Sequence, residues 1–309
     1  MRIRASLWVV LAALLGTALM AQQPPAAPTQ GPPAGARGQG RGGGRGGVPT
    51  IPGQNPNGMH IYIRAGLKTH GEGQHDYPQF LADWSKSLTT KYGAVVDGSF
   101  HSPTAAELAN TDVIVFYKGD AGYMTDTEKA DLEAFLKRGG GVVSLHDSLC
   151  GPDPEYFANT VFGGAKKHGE TNFTLDAKIP YTIADKASPI MAGMSDFTLE
   201  VDEAFYLMTW AKNPAIHVLA NAKIDATPTA IGSGHAGEIV PQMWTYEHTL
   251  PGGTRPSRAF VWMQGHEYKN FTDPRIEPML VRGIAWAANK PVNELVDYKP
   301  AARGGRGGQ

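Results

Sequence analysis

The run VIVFYKGDAGYMTDTEKADLEAFLKRGGGVVSLH, residues 113–146, decides the fold. Val113 to Tyr117 is apolar and rich in β-branched residues, the composition of a strand buried on both faces of a parallel sheet. Thr125 to Arg138 has helical periodicity, with Thr125 and Glu128 in capping-box spacing at its start. Gly139-Gly140-Gly141 ends that helix, and Val142 to Leu145 is a second buried strand. Strand, helix and strand of these lengths make a βαβ unit, and a right-handed crossover brings the two strands parallel.

The same alternation extends in both directions. Upstream, His60 to Ala65 reads as a strand followed by the polar loop 66–74. Phe80, Leu81, Trp84 and Leu88 share one face of a helix over 77–92. Ala94 to Asp97 is a strand, and Pro103 to Leu108 a short helix whose Thr104 and Glu107 form another capping box. Downstream of Gly163 the pattern turns strand-rich, with candidates at Phe173 to Ile179, Ala215 to Ala220, Val240 to Tyr246 and Ala259 to Gln264. Ile276 to Ala288 is the closing helix. The expected fold is an α/β domain with a mostly parallel sheet, helices on both faces and strand-rich insertions.

The ends differ in kind. Arg2 and Arg4 precede the apolar run Leu7 to Met20, and Ala21 stands at a small-residue cleavage position, so residues 1–21 read as an export signal. That predicts a periplasmic or extracellular protein; the alternative is an uncleaved anchor. Residues 22–57, including RGQGRGGGRGG at 37–47, are too poor in apolar side chains to repay chain entropy and read as a disordered linker. The expected domain spans 58–290, and 291–309 read as a flexible Gly/Arg tail.

Of the 28 Lys and Arg residues, seven lie in 1–57 and 301–309, leaving 21 against 29 acids in between, a charge of −8. An acidic core argues against nucleic acid as its ligand. No span beyond the signal is long and apolar enough for a membrane. The single Cys150 excludes an intrachain disulfide.

Ligands of open α/β sheets bind at the carboxyl ends of the strands. There the sequence places His70 and His75, then Lys118 and Asp120, then His146 and Asp147, then His266 and Glu267. His168 and the pair Asp202-Glu203 are further candidates, although His168 also reads as a surface residue and Asp202-Glu203 as a solvated turn. Neutral imidazoles with a carboxylate suit Zn, Mn, Fe or Ni, so a divalent metal is the expected cofactor, with His75, His146, His266 and Glu203 as ligands. His146, His75, Asp120 and Lys118 are the candidate acid/base or oxyanion-stabilising groups. Tyr77, Asp147, His168, Asp202 and Glu267 are the candidate substrate contacts, and Tyr77, Tyr123 and Trp262 candidate walls. Ser148 lacks the flanking glycines of a nucleophile elbow. Cys150 has no legible base beside it, and a hydrolase working through Cys150 is the weakest reading.

HDYP at 75–78, FYKGD at 116–120, the helix-GGG-strand-His run at 131–146, GGAKKHGE at 163–170, VDEAFY at 201–206, QGHEY at 264–268 and RGIAWAAN at 282–289 together resemble the trehalose-utilisation (ThuA-like) family over residues 59–290. The resemblance implies a flavodoxin-like fold similar to class I glutamine amidotransferases, with His146 where those enzymes keep their nucleophilic Cys. It also implies sugar catabolism, of disaccharides and their 3-keto derivatives. Asp147-Ser148-Leu149-Cys150 departs from the family's small-residue, Thr/Asp-containing stretch, which bears on substrate preference. The expected function is therefore acid/base chemistry on a sugar or 3-keto-glycoside, metal-assisted and without a Cys nucleophile. The alternative is a non-catalytic sugar-binding or scaffolding module on the same fold.

Overall fold

The computed structural model describes residues 57–169 and 173–300. The expected signal peptide, nearly all of the linker and residues 301–309 lie outside them. The first half is built of β1 (His60–Ala65), α1 (Tyr77–Thr90), β2 (Val95–Ser99), α2 (Ala105–Leu108), β3 (Val113–Tyr117), α3 (Asp126–Lys137) and β4 (Gly141–Leu145). It continues through α4 (Pro154–Phe157), β5 (Gly164–Ala165), β6 (Phe173–Ile183), β7 (Phe197–Phe205), β8 (Thr209–Trp210) and β9 (His217–Lys223). Then follow α5 (Pro228–Ser233), β10 (Ile239–His248), β11 (Ser257–Trp262) and α6 (Ile276–Ala287).

One nine-stranded sheet runs in the order β2-β1-β3-β4-β11-β10-β9-β6-β7, and β5 pairs with β8 separately. From β2 to β11 neighbouring strands are parallel, and from β11 to β7 they are antiparallel. The parallel part has the flavodoxin-like order, whose switch point lies between β1 and β3.

Alternation along the strands sorts the core into two layers. Ile61, Ile63, Val115, Tyr117, Val143, Leu145 and Phe260 face a layer that includes α1 and α6. Tyr62, Ile114, Phe116, Val142 and Val261 face the layer of α3 and α4. Both capping boxes form: Thr104 and Thr125 accept from the amides of Glu107 and Glu128, whose carboxylates return the bond. Gly139 ends α3 at φ +89, and a Cβ on Gly141 would stand 2.0 Å from the Ala287 carbonyl, so α6 crosses β4 at backbone distance.

One expectation changes. Residues 202–203 are not a turn but part of β7, and both side chains are buried. The chain after Pro291 does not leave the domain at once: Leu295 is buried, Arg282 Nε donates to Asn293 Oδ1 at 3.1 Å, and the Tyr298 ring covers Gly93. Residues 293–298 therefore pack against the domain. Among the described residues no helix is long and apolar enough to cross a membrane.

Candidate metal centre

The loop after β1 and the loop after β11 meet above the ends of β3 and β4. Gln74 and Glu267 form an antiparallel bridge, His75 N donates to His266 O at 3.0 Å, and Tyr268 N donates to Gly73 O at 2.7 Å. His146, the first residue after β4, lies beneath this junction. Three imidazoles from separate loops thus converge.

His75 Nε2 stands 2.8 Å from His146 Nε2 and 3.0 Å from His266 Nδ1. Glu203, from β7, closes the set, with Oε2 3.6 Å from His146 Nε2 and Oε1 3.3 Å from His266 Nδ1. All four residues are buried. Burial lowers all three imidazoles, His75 to about 2 and His146 well below the ordinary range, with neighbouring imidazoles adding to the effect. Burial also pushes Glu203 up to about 9, helped by Asp202 and Asp147.

The outer partners are those of metal-ligating histidines. His146 Nδ1 faces the Met263 carbonyl at 3.4 Å, and His75 Nδ1 lies 2.8 Å from Thr69 Oγ1. A ring nitrogen on a carbonyl must carry the proton, which leaves Nε2 of His146 bare and turned inward. Neutral imidazoles with their free nitrogens gathered at one point, beside a carboxylate, fit a divalent cation of the Zn, Mn, Fe or Ni kind. His75, His146 and His266 could hold such an ion.

Asp202 fixes this geometry from behind. Its carboxylate accepts from Gly265 N at 3.1 Å, His266 N at 3.2 Å and Glu203 N at 2.7 Å, and from Asn270 Nδ2. Complete burial lifts Asp202 to about 6 against the pull of these donors. Gln264 Nε2 donates to the Glu203 carbonyl at 2.8 Å and to Gln242 Oε1 at 2.7 Å. Its own Oε1 accepts from Tyr181, whose hydroxyl accepts from Trp262 Nε1 at 2.9 Å. Four residues around the cluster hold positive φ although none is glycine: His70 (62°), His75 (47°), Asp120 (56°) and His146 (56°). Such conformations cost energy and gather at functional sites.

The centre opens on two cavities. One, about 410 Å³, is lined by Arg64, Thr69, His70, Tyr77, Lys118 and Asp120 among others. The other, about 480 Å³, is lined by Lys166, Phe173, Leu175, Glu203, Phe205 and His266 among others. His70, His75, Asp147 and His168 border both.

Most of the expected site residues are therefore brought together. Asp147 Oδ1 accepts from Tyr77 OH at 3.1 Å, and His168 Nδ1 stands 2.9 Å from Asp120 Oδ1. Burial raises Asp120 and lowers Lys118, whose Nζ donates to the carbonyls of Gly119 and Asp120. Glu267 lies behind the rim, accepting from Gln74 Nε2 at 3.0 Å. Asp202 supports the ligands without lining either cavity. Tyr123 is exposed and Trp262 sits in the core, so neither is a wall. Cys150 is enclosed, and burial drives its thiol up, away from thiolate character. Ser148 Oγ ties β3 to β4 by donating to Phe116 O and Leu145 O. Sequence reasoning missed Arg64, Thr69, Gln242, Gln264 and Asn270. These lie outside the histidine loops or read as ordinary polar residues.

The ThuA (trehalose utilisation) family model matches residues 67–287. The chain belongs to this family. No curated protein matches it significantly. Among solved structures, a ThuA-like protein from Parabacteroides merdae is similar at TM-score 0.58 and 16% identity, over 79% of this chain and 94% of that one. A ThuA-like protein from Bacteroides uniformis is similar at TM-score 0.56 and 16% identity, over 78% and 95%. At that identity the likeness establishes the fold alone.

Proposed function

We propose that this chain is an exported enzyme acting on a sugar or 3-keto-glycoside by acid/base chemistry, assisted by a divalent metal on His75, His146, His266 and Glu203. The observation that carries the reading is the convergence of three buried, neutral imidazoles and one carboxylate at the junction of two cavities. Export rests on the sequence of residues 1–21, and the sugar on the family.

A bound ion would supply Lewis acidity towards a substrate oxygen. The protein's own groups provide the rest. A ketone at C3 acidifies the C2 proton. The His168 imidazole, held by the Asp120 carboxylate at the border of both cavities, takes that proton. The C2 electron pair moves into a C1–C2 double bond, the C1–O bond breaks, and the departing oxygen takes the proton back from the His168 imidazolium. His146 and His75 are enclosed with their Nε2 atoms facing each other, which suits ligands better than free bases. Asp147, steadied by Tyr77, lies where a sugar hydroxyl crosses between the cavities.

The test is metal analysis of the purified full chain, then turnover of a 4-nitrophenyl 3-keto-glucoside followed by released nitrophenol. The reading expects stoichiometric metal and turnover that chelation abolishes and metal restores. Metal-free protein that binds sugars without cleaving them would instead establish the sugar-binding module.

A further inference from the structure

The smaller cavity contains a feature that neither the metal nor the proton step uses. Arg64 is the penultimate residue of β1, and its neighbours Ile63 and Ala65 point into the apolar layer, so the guanidinium lies on the opposite face. Arg64 is only 8% exposed and forms no ion pair within 4.0 Å among the described residues. One terminal nitrogen donates to the Ala65 carbonyl, and Nε is buried without an acceptor. Among the described residues the Nζ of Lys118, just after β3, donates only to backbone carbonyls, and the Arg64 charge helps lower its pKa after burial itself.

Two cations thus line one end of a cavity at the switch point between β1 and β3, where an open α/β sheet binds its ligands. Their acidic neighbours are engaged elsewhere. Glu128 is bound in the cap of α3, Asp120 faces His168, and Asp147 accepts from Tyr77. A buried guanidinium with an unsatisfied N–H is costly unless something accepts from it. A planar fork of donors matches a carboxylate or phosphate.

We propose that Arg64 and Lys118 form a subsite for an anionic oxyacid group on the sugar, so that the substrate class is acidic: a uronic acid glycoside or a sugar phosphate. This rests on the sugar reading of the site above, but not on the metal or on turnover. The domain as a whole is acidic, and anions reach it against its field, so a local pair of cations is selective rather than general.

The test compares glucuronate, glucose 6-phosphate and glucose binding to the full-length protein by calorimetry, after chelation so that no metal contributes. Arg64→Met and the charge-keeping Arg64→Lys are measured beside the wild type. The wild type is expected to prefer one of the two anions over glucose by about tenfold to a hundredfold. Which anion it prefers separates carboxylate from phosphate. Arg64→Met should bring the preference close to one, and Arg64→Lys should keep part of it. Equal wild-type affinity for all three overturns the subsite even if the variants do not fold. So does a preference that survives in folded Arg64→Met. Loss of metal and turnover with the anion preference intact would remove the proposed reaction and leave the subsite standing.

Discussion

The Nε2 atoms of His75 and His146 face each other at 2.8 Å across 71 residues of chain. Since His146 Nδ1 is turned to the Met263 carbonyl, its Nε2 offers a lone pair, and at most one proton can occupy the gap to His75. Burial works against a charged imidazole there, and it pushes the Glu203 carboxyl on the other side towards its protonated form. A bound cation would displace that proton and take the lone pairs of the gathered imidazoles. His146→Ala, His75→Ala or His266→Ala should each lose bound metal, read by elemental analysis. Saturation at about a hundred times Kd stabilises the folded state by about 2.7 kcal/mol. Chelation should then lower Tm by about 5–10 °C, since about 1 kcal/mol moves a domain of this size by about 2–4 °C. A Tm indifferent to chelator and metal would remove the centre.

Asp202 acts at one remove, because its carboxylate carries the amides of Gly265 and His266 and so the direction of the His266 ring. Asp202→Asn replaces one acceptor oxygen with a donor facing other donors. We expect a loss of about 3 kcal/mol in denaturant unfolding, from charge-assisted bonds of about 1.5–3 kcal/mol each. Metal affinity should fall as well, with every ligand residue still present. Wild-type metal affinity in a destabilised Asp202→Asn protein would confine Asp202 to folding.

The contrast between His266 and Glu203 explains what could be read before the structure. The run 113–146 disclosed the βαβ unit through composition and caps, and the rule about strand ends then gathered His75, His146 and His266 from loops far apart in sequence. Phe197–Phe205 escaped because strand periodicity is broken by Asp202-Glu203, two acids that normally mark a turn. They are buried because the site needs them there. Arg64 escaped for the opposite reason: a single cation in an apolar strand carries no spacing signal, and only the packing shows that it lacks an ion-pair partner among the described residues. Thr69, Gln264 and Asn270 orient the ligands through hydrogen bonds that depend on backbone paths no local pattern specifies.

The cap of α3 provides a pH-dependent contribution away from the centre. Glu128 is held below the usual carboxylate range by the Thr125 amide, with further help from its hydroxyl and from Arg64. A folded-state pKa below the unfolded one means the unfolded chain binds the proton more readily. The contribution is therefore complete above the unfolded value of 4.5 and disappears as pH falls through the lower folded value. Because the cap is partly solvated, Glu128→Gln should cost at most about 1 kcal/mol near pH 7. Unfolding curves for the two proteins should converge once pH has fallen below the depressed folded-state value. A difference that persists there would mean the carboxylate charge is not what the cap uses.

Cys150 gives a sharp test of whether any covalent route exists. Its thiol is fully enclosed, its backbone bridges to Lys166, and burial raises its pKa well above the ordinary thiol value. Only the thiolate attacks, so at pH 7–8 the native protein should resist a disulfide-exchange reagent. Labelling should become stoichiometric only in denaturant, at a rate set by unfolding. Cys150→Ala removes one buried sulfur and should cost no more than about 2 kcal/mol, leaving the ligands in place. Turnover per folded molecule should then match the wild type. Rapid labelling of the native protein, accompanied by loss of turnover that Cys150→Ala reproduces, would make the cysteine a participant and displace the acid/base route.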